Sequence, residues 1–315
     1  YYKLRSTVLN ESARSHELCY LKRFDKYLLD NGVGKGGLSE TVLVNWISMI
    51  QGKSSTIESV IIVIRQFLKY LQISEGEYTY IPIIPKVRDE YVPYLFSEDE
   101  MKMIFSTVDA CELQKDSKAD PNLVIVMPII LRLLYGCGLR IGETIMMKVN
   151  DVDFECGILY MKNTKGDKHR LVPMSHMMSE LLQKYCFAMR IYDNQESWLF
   201  PSAINMNHVS DRAVKNRFKK ILDDNNICLH NRQKYERGPC LHCLRHVFTF
   251  KSFAQAERLG KHLDDAIPYL SIYLGHEGLN ETSKYLKFSN EMFPESIDAF
   301  GSYMDEVFLE VSYEV

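Results

Sequence analysis

The chain lacks several features that would narrow its class at once. It has no excess of positive charge: 38 Lys+Arg stand against 41 Asp+Glu, for a formal net charge of −3. It has no long apolar run, because the longest, residues 123–131, contains Pro128 and is followed by Arg132. A membrane span needs roughly 18 uninterrupted residues, so no transmembrane segment is expected. The opening residues, Tyr1-Tyr2-Lys3-Leu4-Arg5, carry neither an apolar core nor an initiator Met. No secretory signal is therefore expected in this stretch. Eight Cys are scattered over 315 residues without the paired spacing of a disulfide framework. Reduced thiols and a cytoplasmic setting are the expectation. There is no internal repeat, no low-complexity segment and no G-x4-G-K-[ST] sequence.

What is present describes a soluble globular protein, 46% hydrophobic and 25% charged, and long enough for two domains. The acids are unevenly placed. Residues 291–315 hold Glu291, Glu295, Asp298, Asp305, Glu306, Glu310 and Glu314 with no Lys or Arg, so the remainder carries +4. Body and tail are electrostatically different objects.

Helical periodicity dominates. Leu18, Leu21, Phe24 and Leu28 form one apolar stripe, Leu43, Trp46, Ile47 and Ile50 a second, and Val60, Ile61, Ile64, Leu68 and Leu71 a third. Residues 1–75 thus read as a helical domain. Residues 76–96, with Pro82, Pro85 and Pro93 and no helical period, read as an extended linker. A second domain, 97–290, opens on a capping box, Ser97 with Glu100. Helices are predicted over 122–135 and 141–149, then a β-hairpin whose arms are 157–162 and 170–173 about the turn Thr164-Lys165-Gly166-Asp167, then further helices. The fold class is mainly α with a small β-sheet.

Two motifs are weaker than they look. Gly32-Val33-Gly34-Lys35-Gly36-Gly37 fits the dinucleotide fingerprint by letter, but a helix precedes it where that fingerprint needs a strand. Cys240-x2-Cys243 with His242 and His246 suggests zinc, but no second C-x-x-C or H-x3-H supplies the other ligands. The basic stretch 212–220 taken alone reads as a solvated helix face.

A phosphate-handling constellation is the stronger signal. His242 and Arg245, at i and i+3, share one helix face. Arg140 follows a Gly136-Cys137-Gly138 break at the start of a helix, where free N–H groups already favour an anion. His276 precedes Tyr285 by nine residues, with Gly278 breaking the helix and Asn280 able to cap a new one.

In this order, Arg140, Lys165, His242-x-x-Arg245, His276 and Tyr285, the chain resembles the tyrosine recombinases of the phage-integrase family. Glu143 matches the acid that accompanies the first Arg, and His246 is taken as a supporting residue. Tyr269 and Tyr273 precede His276 and do not fit the order. The resemblance implies a helical core-binding domain and an α+β catalytic domain closing as a C-shaped clamp on duplex DNA at a specific recombination site. It implies that Tyr285 attacks a phosphodiester, that Arg140, Arg245 and His276 hold its oxygens, that His242 acts as base, and that Lys165 protonates the leaving 5′-hydroxyl. Neither metal nor nucleotide cofactor is implied. Lys162, Lys168, Arg170, Arg212, Lys215, Arg217 and Lys219 become expected DNA contacts. The tail's Met292, Phe293, Ile297, Phe300, Val307 and Phe308 suggest a helix over 302–311 docking on a neighbouring protomer in a tetrameric synapse. Accessory DNA-bending factors are compatible partners. An integrase or transposase of a bacterial mobile element is the leading reading; a Xer-like dimer resolvase, a type IB topoisomerase and a silent DNA-binding protein are the alternatives.

Overall fold

The structure, a computed structural model, describes residues 1–9, 11–34, 38–76, 80–85, 93–110, 119–162, 169–228 and 238–283. The chain divides into two compact units, Tyr1–Tyr91 and Val92–Val315.

The first unit is helical: α1 (Tyr2–Arg5), α2 (Glu11–Asp30), α3 (Glu40–Met49) and α4 (Ser54–Glu75). Ser39 caps α3 by accepting from the Val42 amide, which satisfies one of the orphan donors of the first turn. The apolar stripes meet in a core of Phe24, Leu43, Trp46, Val60, Ile64 and Leu68. The stretch expected to be a free linker from residue 76 is partly built into the two cores. Tyr80 and Ile81 pack on the helical core, and the Arg65 guanidinium donates to the Pro82 carbonyl. Beyond residue 92, Phe96 is buried in the second core with Tyr94 and Leu95 against it.

The second unit contains α5 (Glu98–Asp109), α6 (Leu123–Gly136), α7 (Ile141–Ile145), the strands β1 (Val152–Asp153), β2 (Ile158–Met161) and β3 (Arg170–Pro173), then α8 (His176–Ala188), α9 (Asp211–Asp224), α10 (Leu241–Arg258), α11 (Leu263–Leu274) and α12 (Leu279–Ser283). Ser97 and Glu100 form the reciprocal capping box expected of them. The sheet is antiparallel in the order β1-β2-β3, with Leu159 opposite Val172 and Met161 opposite Arg170. Leu159, Met161 and Val172 alternate inward, giving the sheet its one buried face.

Two elements depart from the sequence reading. The helix expected over 141–149 stops at Ile145, because Lys148 bridges to Trp198 and the Val149 amide donates to the Ser197 carbonyl. That long-range pairing turns the chain through a short 3-10 helix, Val149–Asp151, into β1, a strand too short to leave a periodic signal. The second is α12, which begins at Leu279, so Asn280 lies inside it instead of capping it.

Helix α6 is the axis of the unit, with Leu123, Val126, Met127, Ile129, Ile130, Leu131, Leu133 and Leu134 all buried. A helix apolar nearly all round must be covered on every side, and α5, α7, α8, α9 and α10 supply the cover. Where α6 packs on α10 it sets the first two turns of α10 against the turn that leaves α6, and these two segments carry His242, Arg245 and Arg140.

Candidate active site

Helix α6 ends at Gly136, and Gly138 turns the chain with φ +60°. This is a left-handed conformation that side chains rarely tolerate. It is also crowded, since a Cβ on Gly138 would lie 2.4 Å from Phe248 Cδ1. Glycine here lets the α6–α7 turn touch α10. Arg140 follows as the extended residue before α7. Its Nη1 donates to Glu143 Oε1 at 2.8 Å and its Nη2 to the Gly275 carbonyl at 2.9 Å.

Arg245 enters from the second turn of α10. It is only 1% exposed, yet its charge is accommodated: Nη1 donates to the Gly138 carbonyl and Nη2 to the Leu274 carbonyl, both at 2.7 Å. Charge-assisted bonds of this length are the condition on which a buried guanidinium is tolerated. The two arginines therefore grip successive carbonyls, Leu274 and Gly275, of the turn that leads into His276. Gly275 adopts φ +65° and closes α11 there.

His276 sits half-buried with Nδ1 2.6 Å from the Thr282 hydroxyl, and its backbone amide donates to the Ser271 carbonyl. Burial, then the charges of Arg245, Arg140, His242 and Arg170, push its pKa down from 6.5 to about 3. Those same four groups are therefore its electrostatic neighbours. The consequence for stability has a definite sign: the unfolded chain takes up a proton at this residue below about pH 6.5 while the folded chain does not. Stability is expected to be full above pH 6.5 and to fall as pH drops toward 3. Melting curves of the wild-type chain and a His276→Gln variant over that window check this, the variant losing less.

Glu143 is 7% exposed. Burial alone would raise its pKa, but hydrogen bonds and charge from Arg170 and then Arg140 outweigh it and hold the carboxyl below its ordinary range. His242 is exposed on α10, its ring 4.6 Å from that of buried His246 in an edge-on arrangement. Tyr273, one of the tyrosines set aside on sequence order, is stacked on Phe248, and burial pushes its hydroxyl pKa well above the ordinary value.

Of the six residues in the pattern, the structure brings Arg140, Arg245 and His276 together, with His242 among the charges acting on His276. Lys165 and Tyr285 lie outside the described residues, as do Lys168 and the tail. The expected DNA contacts divide. Arg212, Lys215 and Lys219 are exposed on α9, whose Val214, Phe218, Ile221 and Leu222 are buried. Lys215 pairs with Asp211 at 2.5 Å, and Arg212 and Arg217 line a cavity of about 430 Å³ with Asp120 and Ser202. Lys162 is half-exposed and paired with Asp151 at 2.6 Å. Arg170 is the correction. Its side chain is 7% exposed and held by Glu143 and the Tyr273 carbonyl, so it faces the protein interior rather than a duplex.

Sequence reasoning missed Thr282, which is fully buried under His276 and carries no motif, and it missed the carbonyls of Gly138, Leu274 and Gly275 that aim the arginines. The zinc reading gains nothing: Cys240 and Cys243 bring their Sγ atoms to 3.6 Å, but among the described residues no group of three or more His, Cys, Asp or Glu could hold a metal.

Two anchored guanidinium groups and a neutral imidazole converging on one turn form a site suited to a phosphate. Residues 95–292 match the model of the phage integrase family. The chain belongs to that family, whose tyrosine recombinases break and rejoin DNA. It is 24% identical over 253 residues to the tyrosine recombinase XerC of Staphylococcus carnosus (strain TM300), covering 78% of this chain and 76% of the relative. In fold it is similar to the XerH site-specific recombinase bound to palindromic difH substrate in a post-cleavage complex, with TM-score 0.69, 17% identity and coverage of 92% and 80% of the two chains. It is also similar to the Tn1549 transposon integrase in complex with transposon right-end DNA, with TM-score 0.62, 14% identity and coverage of 90% and 92%.

Proposed function

We propose that this chain cleaves and rejoins duplex DNA at a specific recombination site through a 3′-phosphotyrosyl intermediate formed on Tyr285, as the integrase or transposase of a bacterial mobile element. The observation that carries the chemical reading is the shared grip of Arg140 and Arg245 on the Gly275 and Leu274 carbonyls beside His276.

In this mechanism the Tyr285 hydroxyl oxygen attacks phosphorus while the 5′-oxygen departs. Charge spreads over the non-bridging oxygens in the transition state. The guanidinium groups of Arg140 and Arg245 bind those oxygens; being already oriented, they need no reorganisation when the charge develops. His276 contributes a neutral donor. If the Thr282 hydroxyl donates to Nδ1, the ring proton resides on Nε2, the tautomer able to donate to phosphate. His242 takes the Tyr285 proton and Lys165 protonates the leaving 5′-oxygen. The phosphotyrosyl ester conserves the energy of the broken bond, so a 5′-hydroxyl from a second strand can reverse the step.

Helix α9, packed against α7, offers its exposed cations to the duplex backbone. Converting Lys215, Arg217 and Lys219 to Gln is expected to weaken DNA binding at all sequences and flatten the slope of log affinity against log salt by about 0.9 for each phosphate no longer neutralised. Unchanged affinity and slope would remove α9 from the interface.

The mobile-element role extends the similarity to the Tn1549 integrase, and a Xer-like dimer resolvase is the competing reading through XerC. Sequencing the DNA ends captured covalently from sheared source DNA separates them. Ends at the junctions of a mobile element support the proposal, a single chromosomal locus supports a resolvase, and dispersed ends a topoisomerase. The acidic tail is proposed to dock on a neighbouring protomer in a tetramer. Deleting 302–315 is then expected to leave DNA binding intact and impair synapsis.

A further inference from the structure

Arg170 lies outside the six-residue pattern, yet it ties together the sheet, α7 and the turn that presents His276. It sits on β3 opposite Met161. Its Nη2 donates to Glu143 Oε2 at 2.7 Å and its Nη1 approaches Oε1 at 3.3 Å, a fork against a carboxylate. Its Nε donates to the Tyr273 carbonyl at 2.9 Å. The same guanidinium lies against the turn at Gly275, where a Cβ would fall 2.9 Å from Nη1 and 3.1 Å from Cδ. One side chain thus joins the sheet to α7, to the last turn of α11, and to the turn that presents His276.

The electrostatics give this arrangement a purpose. Glu143 Oε1 accepts from both Arg140 and Arg170. Without Arg170, the buried carboxylate would turn its whole charge on Arg140 and largely cancel it. With Arg170 in place, the fork–carboxylate pair is neutral in itself, and Arg140 keeps its positive charge for an incoming anion. Three consecutive carbonyls, those of Tyr273, Leu274 and Gly275, are each held by a different arginine: Arg170, Arg245 and Arg140. Arg170 therefore sets the floor on which the other two are aligned.

We infer that Arg170 is a positioning residue for strand cleavage: through Glu143 it orients Arg140 and preserves its charge, and through the 273–275 carbonyls it holds His276 toward the same phosphate. This rests on the reading of the site as a phosphodiester-cleaving centre.

The test uses the full chain with Arg170→Lys, Arg170→Gln and Arg170→Gln/Glu143→Gln, with sheared source DNA as probe. DNA retention on filters and its salt dependence are expected to stay within about twofold of wild type. Covalent adduct formation under single-turnover conditions is expected to fall about 100-fold, the scale of a displacement near 1 Å. Arg170→Lys keeps the charge but not the fork, so it should restore little. The double variant should be no worse than Arg170→Gln, because it also removes the carboxylate charge that Arg170→Gln leaves facing Arg140. Retention and salt slope falling while bound DNA is cleaved normally would make Arg170 a phosphate contact and overturn the inference. Lower melting temperatures with an unchanged cleavage rate would make it merely structural.

A second readout is independent of activity: the NMR titration of the His276 ring, identified by its loss in His276→Gln. In Arg170→Lys, where the positive charge remains, it is expected to climb from about 3 toward the ordinary value as the turn loosens. A ring unmoved in that variant contradicts the positioning role. Should the wild-type chain form no adduct, the reading of the site fails, and this titration alone still decides whether Arg170 holds the turn.

Discussion

Replacing Arg245 by Ala is expected to abolish DNA cleavage and to lower stability together, a pairing that separates it from the exposed cations of α9. The guanidinium is 1% exposed and donates to the carbonyls of Gly138 and Leu274. Removing it leaves two buried acceptors without those donors, at about 1–3 kcal/mol each, and opens space in the packed start of α10. The chemical loss is expected to be larger still. A single preoriented donor to a transition-state oxyanion is worth about 10²–10³ in rate, and Arg245 also fixes the turn that carries His276. Arg245→Lys should recover part of the stability but little of the rate, because an ammonium cannot reproduce the planar fork that donates to two carbonyls at once. Chemical denaturation and single-turnover adduct formation measure the two effects separately. Full stability with lost cleavage would mean that the buried bonds are not supporting the fold.

Gly138→Ala is expected to damage the site without touching a catalytic side chain. The residue has φ +60°, and its added Cβ would lie 2.4 Å from Phe248 Cδ1. Phe248 has little room to retreat, since its ring is stacked on Tyr273 at 5.4 Å. Left-handed strain costs about 1–2 kcal/mol and overpacking about 1–3 kcal/mol more. The clash falls between the α6–α7 turn and α10, so it pushes Arg140 and Arg245 apart. A loss of roughly 3 kcal/mol with at least tenfold slower cleavage is the expected result. A stable, fully active Gly138→Ala would show that the close approach is dispensable.

Much of the fold and site is legible in the sequence because the signals are local. Ser39, Ser97 and Glu100 announce their helices through capping chemistry that needs only neighbouring residues. The order Arg140, His242-x-x-Arg245, His276 can be read because each member lies in a short context of its own. The parts that escape are those decided by distant partners. Helix α7 ends early because Lys148 and Val149 pair with residues 197 and 198, which no window around 145 contains. Arg170 looks like one more cation in a basic hairpin, and only the folded chain shows Glu143 and Tyr273 closing around it. Thr282 reads as an ordinary helix residue until it is found beneath His276.

Under the proposed function, Tyr285 forms a covalent bond with DNA at the phosphate held by Arg140 and Arg245. The most direct measurement is denaturing capture of protein–DNA adducts from sheared source DNA, with Tyr285→Phe in parallel and the modified peptide identified by mass spectrometry. Adducts are expected with the wild-type chain, none with Tyr285→Phe, and a phosphotyrosyl group on the peptide containing Tyr285. Adducts that persist in Tyr285→Phe, or a modified residue elsewhere in the chain, would contradict it.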